Sequence, residues 1–590
     1  MARLSKASPI TRAAPSWSPA TPLVTSTSRF TPQTSNLEVH MANTNEPTRP
    51  IGQPTPAPDG TLRAKTTLSP KECRVRARLD VPPSKVMPII LVPGIMGSNL
   101  RASTKDGAPR NRELKPGESA WRPPNGINEG ISEATKWEDR SPSTRQKILD
   151  GPTLEVDPSG AIDLPAAATI AGMNASLARE RGWGEVHWSS YGTLLCALHS
   201  QFGQFLTCAA TPFPSSNWHS LNLFDRRRWN GTKKGALAEL EIAEIEKLAQ
   251  YWYPVYAFGY NWLQSNEQSA NSLRLHIEEI IAHWNTPELD CRQVVLVTHS
   301  MGGLVARACA KQIHDRIACV VHACMPALGA PVCYRRIACG TESSSPSNGM
   351  IQNAAADKFA DIAGRTPAHT NPVMAHAPGA LELLPTHLYP TPWLSVSPMS
   401  TGKQPRQSLA VPVQNIYDFY ADILPWYRLF DPSLIDPAEQ HRDQTIALQK
   451  MTRSVRQAKR FHESVLGVYF HQNTYALYGG DPKFLSYGRF IWKSTTPDSS
   501  VNVFGNGKCV ERFRGGGRII EFTPKDTNWF VPSLQDEAGD GTVPTKSAAG
   551  CKDVVKEVFS IEGFSHQDVF SHEHALALTL QLVAKGVAES

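Results

Sequence analysis

The sequence predicts an α/β fold, a mostly parallel sheet with helices on both faces and a large helical cap or lid inserted between its strands. Three observations carry this expectation. Short apolar runs alternate with stretches of helical length, which is how a parallel sheet winds with its crossover helices. One such run, Val294 to Val297, breaks at Thr298-His299-Ser300-Met301-Gly302-Gly303, and a small-residue helix leaves through Leu304, Val305, Ala306, Ala308 and Ala310. Between residues 340 and 470 the alternation is lost, and Ser/Pro-rich loops, an aromatic segment (IYDFYADILPWYRL, Ile416 to Leu429) and a long helix from about Asp443 to Val465 replace it.

The elements follow in order. Residues 1–65 are rich in Pro, Ser, Thr and Ala with few large apolar groups, a disordered composition. Ile89 to Val92 is a buried strand that ends in Pro93-Gly94-Ile95-Met96-Gly97. Residues 101–180 are loop-rich, with Trp121-Arg122-Pro123-Pro124-Asn125 their most distinctive stretch. Gly182 to Leu195 is aromatic, and Trp183 and Trp188 are expected to pack over the sheet or its edge. Ala236 to Gln250 reads as a helix, and Tyr253 to Phe258 as a strand. Ser269 to Trp284 is amphipathic, with Leu273, Ile277, Ile280 and Ile281 on one face. Ile317 to Ala323 follows the serine turn as another strand. Beyond the insertion come a strand from Thr474, a hairpin turning at Gly515-Gly516-Gly517, a last strand over Val554 to Ile561 and a closing helix over Glu573 to Lys585.

Bulk properties narrow the class. The chain has 590 residues and 41% apolar content, globular and too long for one minimal domain. Its apolar stretches, such as Val86 to Met96, stop short of the roughly 18 residues that cross a bilayer. The net charge is +6, and residues 1–80 carry 11 Lys+Arg against 5 Asp+Glu, so the tail accounts for the whole surplus. A nucleic-acid-binding core would carry a basic face of its own, so no nucleic-acid partner is expected. The eleven cysteines are scattered with no C-x-x-C pair, and Cys291, Cys309, Cys319 and Cys324 fall in core elements, a pattern of reduced thiols, with Cys333 to Cys339 an example of a loop that a disulfide could staple. No apolar h-region follows the early Arg3 and Lys6. The expected location is cytoplasmic as synthesised, with export, if any, through a system that reads no signal peptide.

A strand, a sharp turn with glycines and a helix form the context that gives a G-x-S-x-G-like motif its meaning. Ser300 would sit with its Oγ exposed at the turn, as a nucleophile rather than a plain helix cap, and Gly302 and Gly303 let the helix start hard against the neighbouring strand. The motif's first glycine is Thr298 here, which crowds the entry to the turn. A serine hydroxyl needs an imidazole to take its proton, and the imidazole needs an acceptor to fix its tautomer. In this architecture the order is Ser, acid, His, and the chain supplies Ser300, Asp540 and His566. From spacing alone Asp536 competes evenly with Asp540. His572 and His574 look helical, and His299 is expected to point away from the site and serve packing. The glycine loop at Gly94 places the N–H of Ile95 to act with the N–H of Met301 as an oxyanion hole. His566, Asp568, His572, Glu573 and His574 are ligand types, but their spacing matches no zinc motif, and no phosphate or dinucleotide loop is present. No metal or cofactor is expected.

The segments VPGIMGSNL at 92–100, THSMGGLVAR at 298–307, PGALELLP at 378–385, GDGTVP at 539–544 and GFSHQD at 563–568 resemble the lecithin:cholesterol acyltransferase-like family of α/β hydrolases. The resemblance covers roughly Pro88 to Phe570, the insertions excepted. It implies the α/β-hydrolase fold, Ser300 as nucleophile, Asp540 as acid, His566 as base, Ile95 and Met301 as the oxyanion hole, and lipid esters as substrates of a lipase, phospholipase or O-acyltransferase at a membrane surface. The chain departs at Thr298 and at Asn261-Trp262, where an Asp-Trp pair is more familiar. GYNWLQSN at 259–266, with PGALELLP, further resembles bacterial members, some of them antibacterial lipase effectors of type VI secretion, which implies a secretion-system or immunity partner.

The expected organisation is a disordered basic Pro/Ser/Thr-rich tail over 1–80, an N-terminal core part with the nucleophile turn over 81–335, a cap or lid over 336–470, and a C-terminal core part with the acid and the histidine over 471–590. Rival readings are a deacylase of glycolipid- or protein-linked acyl groups, and a non-catalytic α/β-hydrolase scaffold that binds a partner.

Overall fold

The structure, a computed structural model, describes residues 83–590 except 204–205, 209–211, 215–225, 227–228, 234, 236, 346–347, 399–407, 496–502 and 525, together with four short strands before residue 83. The expected disordered tail thus lies mostly outside the described residues. Within it, Arg49–Ile51 pairs with Ala77–Leu79 and Thr55–Pro56 with Leu62–Arg63.

The core is a seven-stranded sheet of β1 (Ile89–Val92), β2 (Asn230–Gly231), β3 (Val255–Ala257), β4 (Val294–His299), β5 (Ile317–Ala323), β6 (Thr474–Gly479) and β7 (Glu557–Ile561). Across the sheet the order is β2-β7-β6-β5-β4-β1-β3, parallel throughout except for β2 at the edge. The chain has the α/β-hydrolase fold. The helices around the sheet include α1 (Trp188–Gly203), α2 (Asn266–Trp284), α3 (Gly302–Gln312) and α5 (Glu573–Ala588), while α4 (Gln444–Arg460) belongs to the insertion.

The two-residue period of the strands sorts their side chains into two cores. Ile90, Val92, Leu296 and Val320 face α2 and α3, whereas Ile89, Leu91, Val295, Val297 and Val321 face α1 and α5. Every residue of β1, β4 and β5 is buried. This is why those strands read as continuous apolar runs rather than alternating ones. Each large aliphatic side chain so buried contributes about 1.5–3 kcal/mol. The aromatic stretch at Gly182 to Leu195 feeds α1, and Trp183 lies fully buried with its Nε1–H donating to the Val255 carbonyl at 3.0 Å. The helix expected over Ala236 to Gln250 forms only over Ile242–Leu248, because the Glu244 carboxylate reaches back to the Glu241 N–H and sets its start there.

The insertion after β5 is largely helical. It includes Pro331–Cys339, Met350–Ala363, Pro367–Met374 and α4, which continues through a π-helical turn over Phe461–Leu466. Pro331–Cys339 and α4 pack on a second sheet whose order is Leu409–Ala410, Leu394–Ser397, Phe490–Ser494, Asp526–Pro532, Arg518–Thr523 and Lys508–Arg512. A third core, with Tyr334, Trp393, Trp426, Phe430, Trp492 and Phe530, lies between them. The hairpin at Gly515-Gly516-Gly517 closes the edge of this sheet. Sequence reading missed the sheet as a unit, since Leu394–Ser397 finds its parallel partner only at Phe490–Ser494.

One buried carboxyl joins cap and core. Glu382, in the PGALELLP stretch, is fully buried at the start of α2, where its oxygens accept from the Ser265 hydroxyl at 2.9 Å and the Asn266 N–H at 2.8 Å. Its own carbonyl meets Nε2 of His462, in the turn after α4, at 2.8 Å. Burial pushes the Glu382 carboxyl up to about 8, against the hydrogen bonds from Asn266 and Ser265. A carboxyl whose folded pKa lies above its unfolded value holds its proton longer in the native state. Its contribution to stability is therefore complete below the ordinary carboxylate range and is lost as pH rises to about 8. Glu382→Gln mimics the protonated form. Stability measured against pH should fall more steeply in the wild type than in Glu382→Gln between pH 5 and 8, by about 1.4 kcal/mol per pH unit. Parallel profiles would refute this.

Candidate active site

The serine turn is built at the carboxyl end of β4. Ser300 has φ 51°, in the left-handed region, and its N–H donates to the Ala323 carbonyl at 2.9 Å. A non-glycine residue there stores strain of about 1–2 kcal/mol, which the flanking strand and helix hold in place. Thr298 does not share it. It stays an ordinary strand residue, paired with His322, with its Oγ1 2.7 Å from His322 Nδ1. The departure from glycine is absorbed as a cross-strand side-chain pair, and the strain falls on Ser300 itself. Gly302 is different. A Cβ there would lie 2.3 Å from the Val92 carbonyl oxygen and 2.4 Å from that of Pro93. Gly302→Ala is expected to push α3 off β1 and destabilise the fold by about 1–3 kcal/mol, readable as a lower denaturation midpoint; an unchanged midpoint would refute that packing.

Three loops converge on this turn. The last of them places His566, 8% exposed, with Nε2 2.9 Å from Ser300 Oγ and Nδ1 2.7 Å from Asp540 Oδ2. The His566 N–H donates to the Asp540 carbonyl at 2.7 Å, so the backbones of the two loops are tied as well as their side chains. Asp540 is fixed by its own loop, since its Oδ1 accepts from the N–H groups of Thr542 at 2.9 Å and Val543 at 2.7 Å. Gly541 supplies φ 89°, and a Cβ at Gly539 would strike the Ser486 hydroxyl at 2.3 Å. Both glycines of GDG are therefore needed to fold the carboxylate back. Burial pushes the Asp540 carboxyl up, but the His566 ring and the two backbone N–H groups outweigh it and hold the group below its ordinary value.

The competing residues go elsewhere. Asp536 accepts from the Gly488 and Arg489 N–H groups and pairs with Arg489 Nε at 3.0 Å, fastening a different loop. His572 caps the start of α5, and His574 lies within that helix. Cys333 and Cys339 are free thiols, as are Cys196, Cys291, Cys309, Cys319, Cys324, Cys509 and Cys551. Of His/Cys/Asp/Glu groups among the described residues, His299, Cys324 and His566 lie close enough to hold an ion, and His566 there already meets Ser300 and Asp540 through its two nitrogens.

The glycine loop lies against the serine. A Cβ on Gly94 would stand 2.9 Å from Ser300 Cβ. The loop turns through a Gly97 N–H to Gly94 carbonyl bond of 3.0 Å with Met96 at φ 62°. Trp121 Nε1–H holds the Met96 carbonyl at 2.8 Å, Tyr260 donates its hydroxyl to the Pro93 carbonyl at 2.8 Å, and the Gly94 N–H donates to the Tyr191 hydroxyl at 2.9 Å. Ile95 and Met301 thus stand on the two segments that meet at Ser300.

Sequence reading sent His299 away from the site, and the structure corrects this. Its ring centroid lies 4.8 Å from that of His566, its Nε2 is 3.0 Å from the His566 carbonyl, and its Nδ1 is 2.9 Å from the Tyr191 hydroxyl. Tyr191 was not singled out at all. The signal was there in the spacing of Gly94 and Gly97, since a Cβ at Gly97 would sit 2.7 Å from the Tyr191 hydroxyl. Asn261 explains the other departure. Its Nδ2 donates to the carbonyls of Gly151 at 2.8 Å and Leu154 at 3.1 Å, which a carboxylate cannot do.

The comparisons with known proteins fit this geometry. A family model described as PGAP1-like alpha/beta domain matches residues 262–339, the stretch from α2 through the serine turn to the first cap helix. Among solved structures, the Tle4-Tli4 complex contains a chain that superimposes with a TM-score of 0.66 at 28% sequence identity, over 86% of this chain and 99% of that one. No curated protein matches. The fold and these similarities support a lipase-like α/β hydrolase. No helix among the described residues is long and apolar enough to cross a membrane.

Proposed function

We propose that the protein is a serine-dependent lipid ester hydrolase, a lipase or phospholipase working through an acyl-serine intermediate. The observation that carries this is the His566 ring set between Ser300 Oγ and Asp540, each within hydrogen-bond reach. Ser300 attacks the ester carbonyl while His566 Nε2 takes its proton. Asp540 holds Nδ1–H and so keeps Nε2 free to act as the base. The Gly94 N–H is already engaged by Tyr191, so the next donor of that loop, the Ile95 N–H, acts with the Met301 N–H on the developing oxyanion. His566 then gives its proton to the departing alcohol. Water, activated by the same imidazole, releases the acyl group; a second alcohol in its place would make the chain an O-acyltransferase of the kind the lecithin:cholesterol acyltransferase-like resemblance implies.

Lipid as the substrate class rests on that resemblance and on the lipase-like similarity of the fold, with the cap over residues 336–470 as the element that shields the acyl-enzyme from water. The neighbour was solved in complex with a second protein, Tli4. We propose a protein partner for this chain too, in keeping with its resemblance to secreted lipase effectors. The test is mass spectrometry of the lipids released from mixed membranes by wild type and by Ser300→Ala. Fatty acid and lysolipid should appear with the wild type alone. Release of acyl groups from protein or glycolipid and not from phospholipid would favour a deacylase instead, and no release by either form would favour a binding scaffold.

A further inference from the structure

We propose that Tyr191 and His299 are positioning residues that lock the glycine loop and the general base into one register, an inference that rests on the hydrolase reading above. The Tyr191 hydroxyl has one proton and accepts the Gly94 N–H at 2.9 Å. That leaves its proton to go to His299 Nδ1 at 2.9 Å. His299 then carries its own proton on Nε2, 3.0 Å from the His566 carbonyl, which it serves as donor. Each group in the chain from Gly94 through Tyr191 and His299 to His566 is used in the one direction that satisfies all of them. The order also fixes the His299 tautomer.

The relay is dry and stays neutral. Tyr191 is 2% exposed and His299 is 4% exposed. Burial, with the neighbouring His566, pushes the His299 imidazole down to about 3, and burial raises the Tyr191 phenol above its ordinary value. The charged and titratable groups around His299 are Tyr191, His566, Asp540 and Cys324. A neutral His299 can accept from Tyr191, and it places no cation beside the base.

Its mechanical effect is specific. His566 is clamped on both sides of its own backbone, with its N–H on the Asp540 carbonyl at 2.7 Å and its carbonyl on His299. The other end of the relay holds the peptide immediately before the Ile95 donor. Oxyanion donors must lie within a few tenths of an ångström of the developing charge to be effective. A tether from the loop that carries a donor to the loop that carries the base keeps the two from drifting apart. The Tyr191 hydroxyl lies where a Cβ on Gly97 would stand, and a Cβ on Gly94 would meet Ser300 and His299, which gives the P-G-x-x-G spacing a second reason beyond backbone proximity to substrate.

The test uses the full chain and four variants, Tyr191→Phe, His299→Leu, His299→Gln and the double Tyr191→Phe/His299→Leu. The readouts are kcat, KM, affinity for a trifluoromethyl ketone that forms a tetrahedral adduct, fluorophosphonate labelling at Ser300, and thermal melting. Tyr191→Phe and His299→Leu should each lower kcat by about 10- to 100-fold with KM changed less than about threefold. Ketone affinity should fall in parallel with kcat, which a purely structural role would not produce. The double variant should lose little more than either single one, because one tether is broken in all three. His299→Gln, with Oε1 to accept and Nε2 to donate, should recover part of what His299→Leu loses. Full kcat and ketone affinity in folded Tyr191→Phe would overturn the proposal, as would losses that multiply in the double variant. Should Tyr191→Phe not fold, the comparison of His299→Gln with His299→Leu decides alone, and equal losses in those two would overturn it. A wild type that neither labels nor hydrolyses would overturn the hydrolase reading and this inference together, whereas a reactive wild type with an equally reactive Tyr191→Phe would overturn the relay alone.

Discussion

Ser300→Ala is expected to abolish ester hydrolysis, a loss on the order of 10⁶-fold in kcat, while the fold persists. The size follows from the role. Without Oγ there is no acyl-enzyme, and water would have to attack the ester carbonyl directly from the side of His566. The fold persists because the change removes one hydroxyl and one hydrogen bond to His566 Nε2, and leaves the backbone at φ 51° as strained as before. Lipid turnover, fluorophosphonate labelling and a thermal melt check it together. A variant that melts like the wild type, does not label and does not turn over lipid meets the expectation. Turnover within tenfold of wild type would mean that the chemistry lies elsewhere in the molecule.

Asp540→Asn is the second, expected to lower kcat by about 10⁴-fold with little change in melting. The amide oxygen would keep the two backbone N–H groups of Thr542 and Val543, and the amide NH₂ would then face His566 Nδ1. The ring would answer by moving its proton to Nε2, where it points at Ser300 and can no longer accept. Asp536→Asn serves as the control. It weakens a largely exposed pair with Arg489, an interaction of about 0–1 kcal/mol, and activity should stay within about twofold. Steady-state kinetics of the two variants side by side decide it, and a greater loss from Asp536→Asn would reverse the assignment. In the wild type the Asp540 carboxyl is held below its ordinary value, so it remains ionised well into the acid range.

Much of the site was legible because its elements are local. The buried runs at Ile89, Val294 and Ile317 had to be inner strands, since four or more consecutive apolar residues hide both faces of a pleat. Ser300 stood out because a strand, a turn and two glycines in ten residues leave few other uses for that geometry. Asp540 was ambiguous by spacing and was singled out only by the resemblance of GDGTVP. The structure supplies the physical reason, with Gly541 at φ 89° and Gly539 against Ser486 folding that carboxylate inward, while Asp536 is drawn off to Arg489.

Local sequence was thus enough for the inner strands Ile89–Val92, Val294–His299 and Ile317–Ala323 and for the serine turn, because each depends on a short pattern and, at the turn, on a glycine where a Cβ would collide. Tertiary structure alone decided the rest. It put the strain of the turn on Ser300 and not on Thr298, since a β5 partner, His322, was waiting for the threonine hydroxyl. It paired Leu394–Ser397 with Phe490–Ser494 in the sheet of the cap, a contact between segments distant along the chain. And it brought His299 and Tyr191 to the site, because a residue next to the nucleophile in sequence points wherever the following loop offers its proton an acceptor, here the carbonyl of His566.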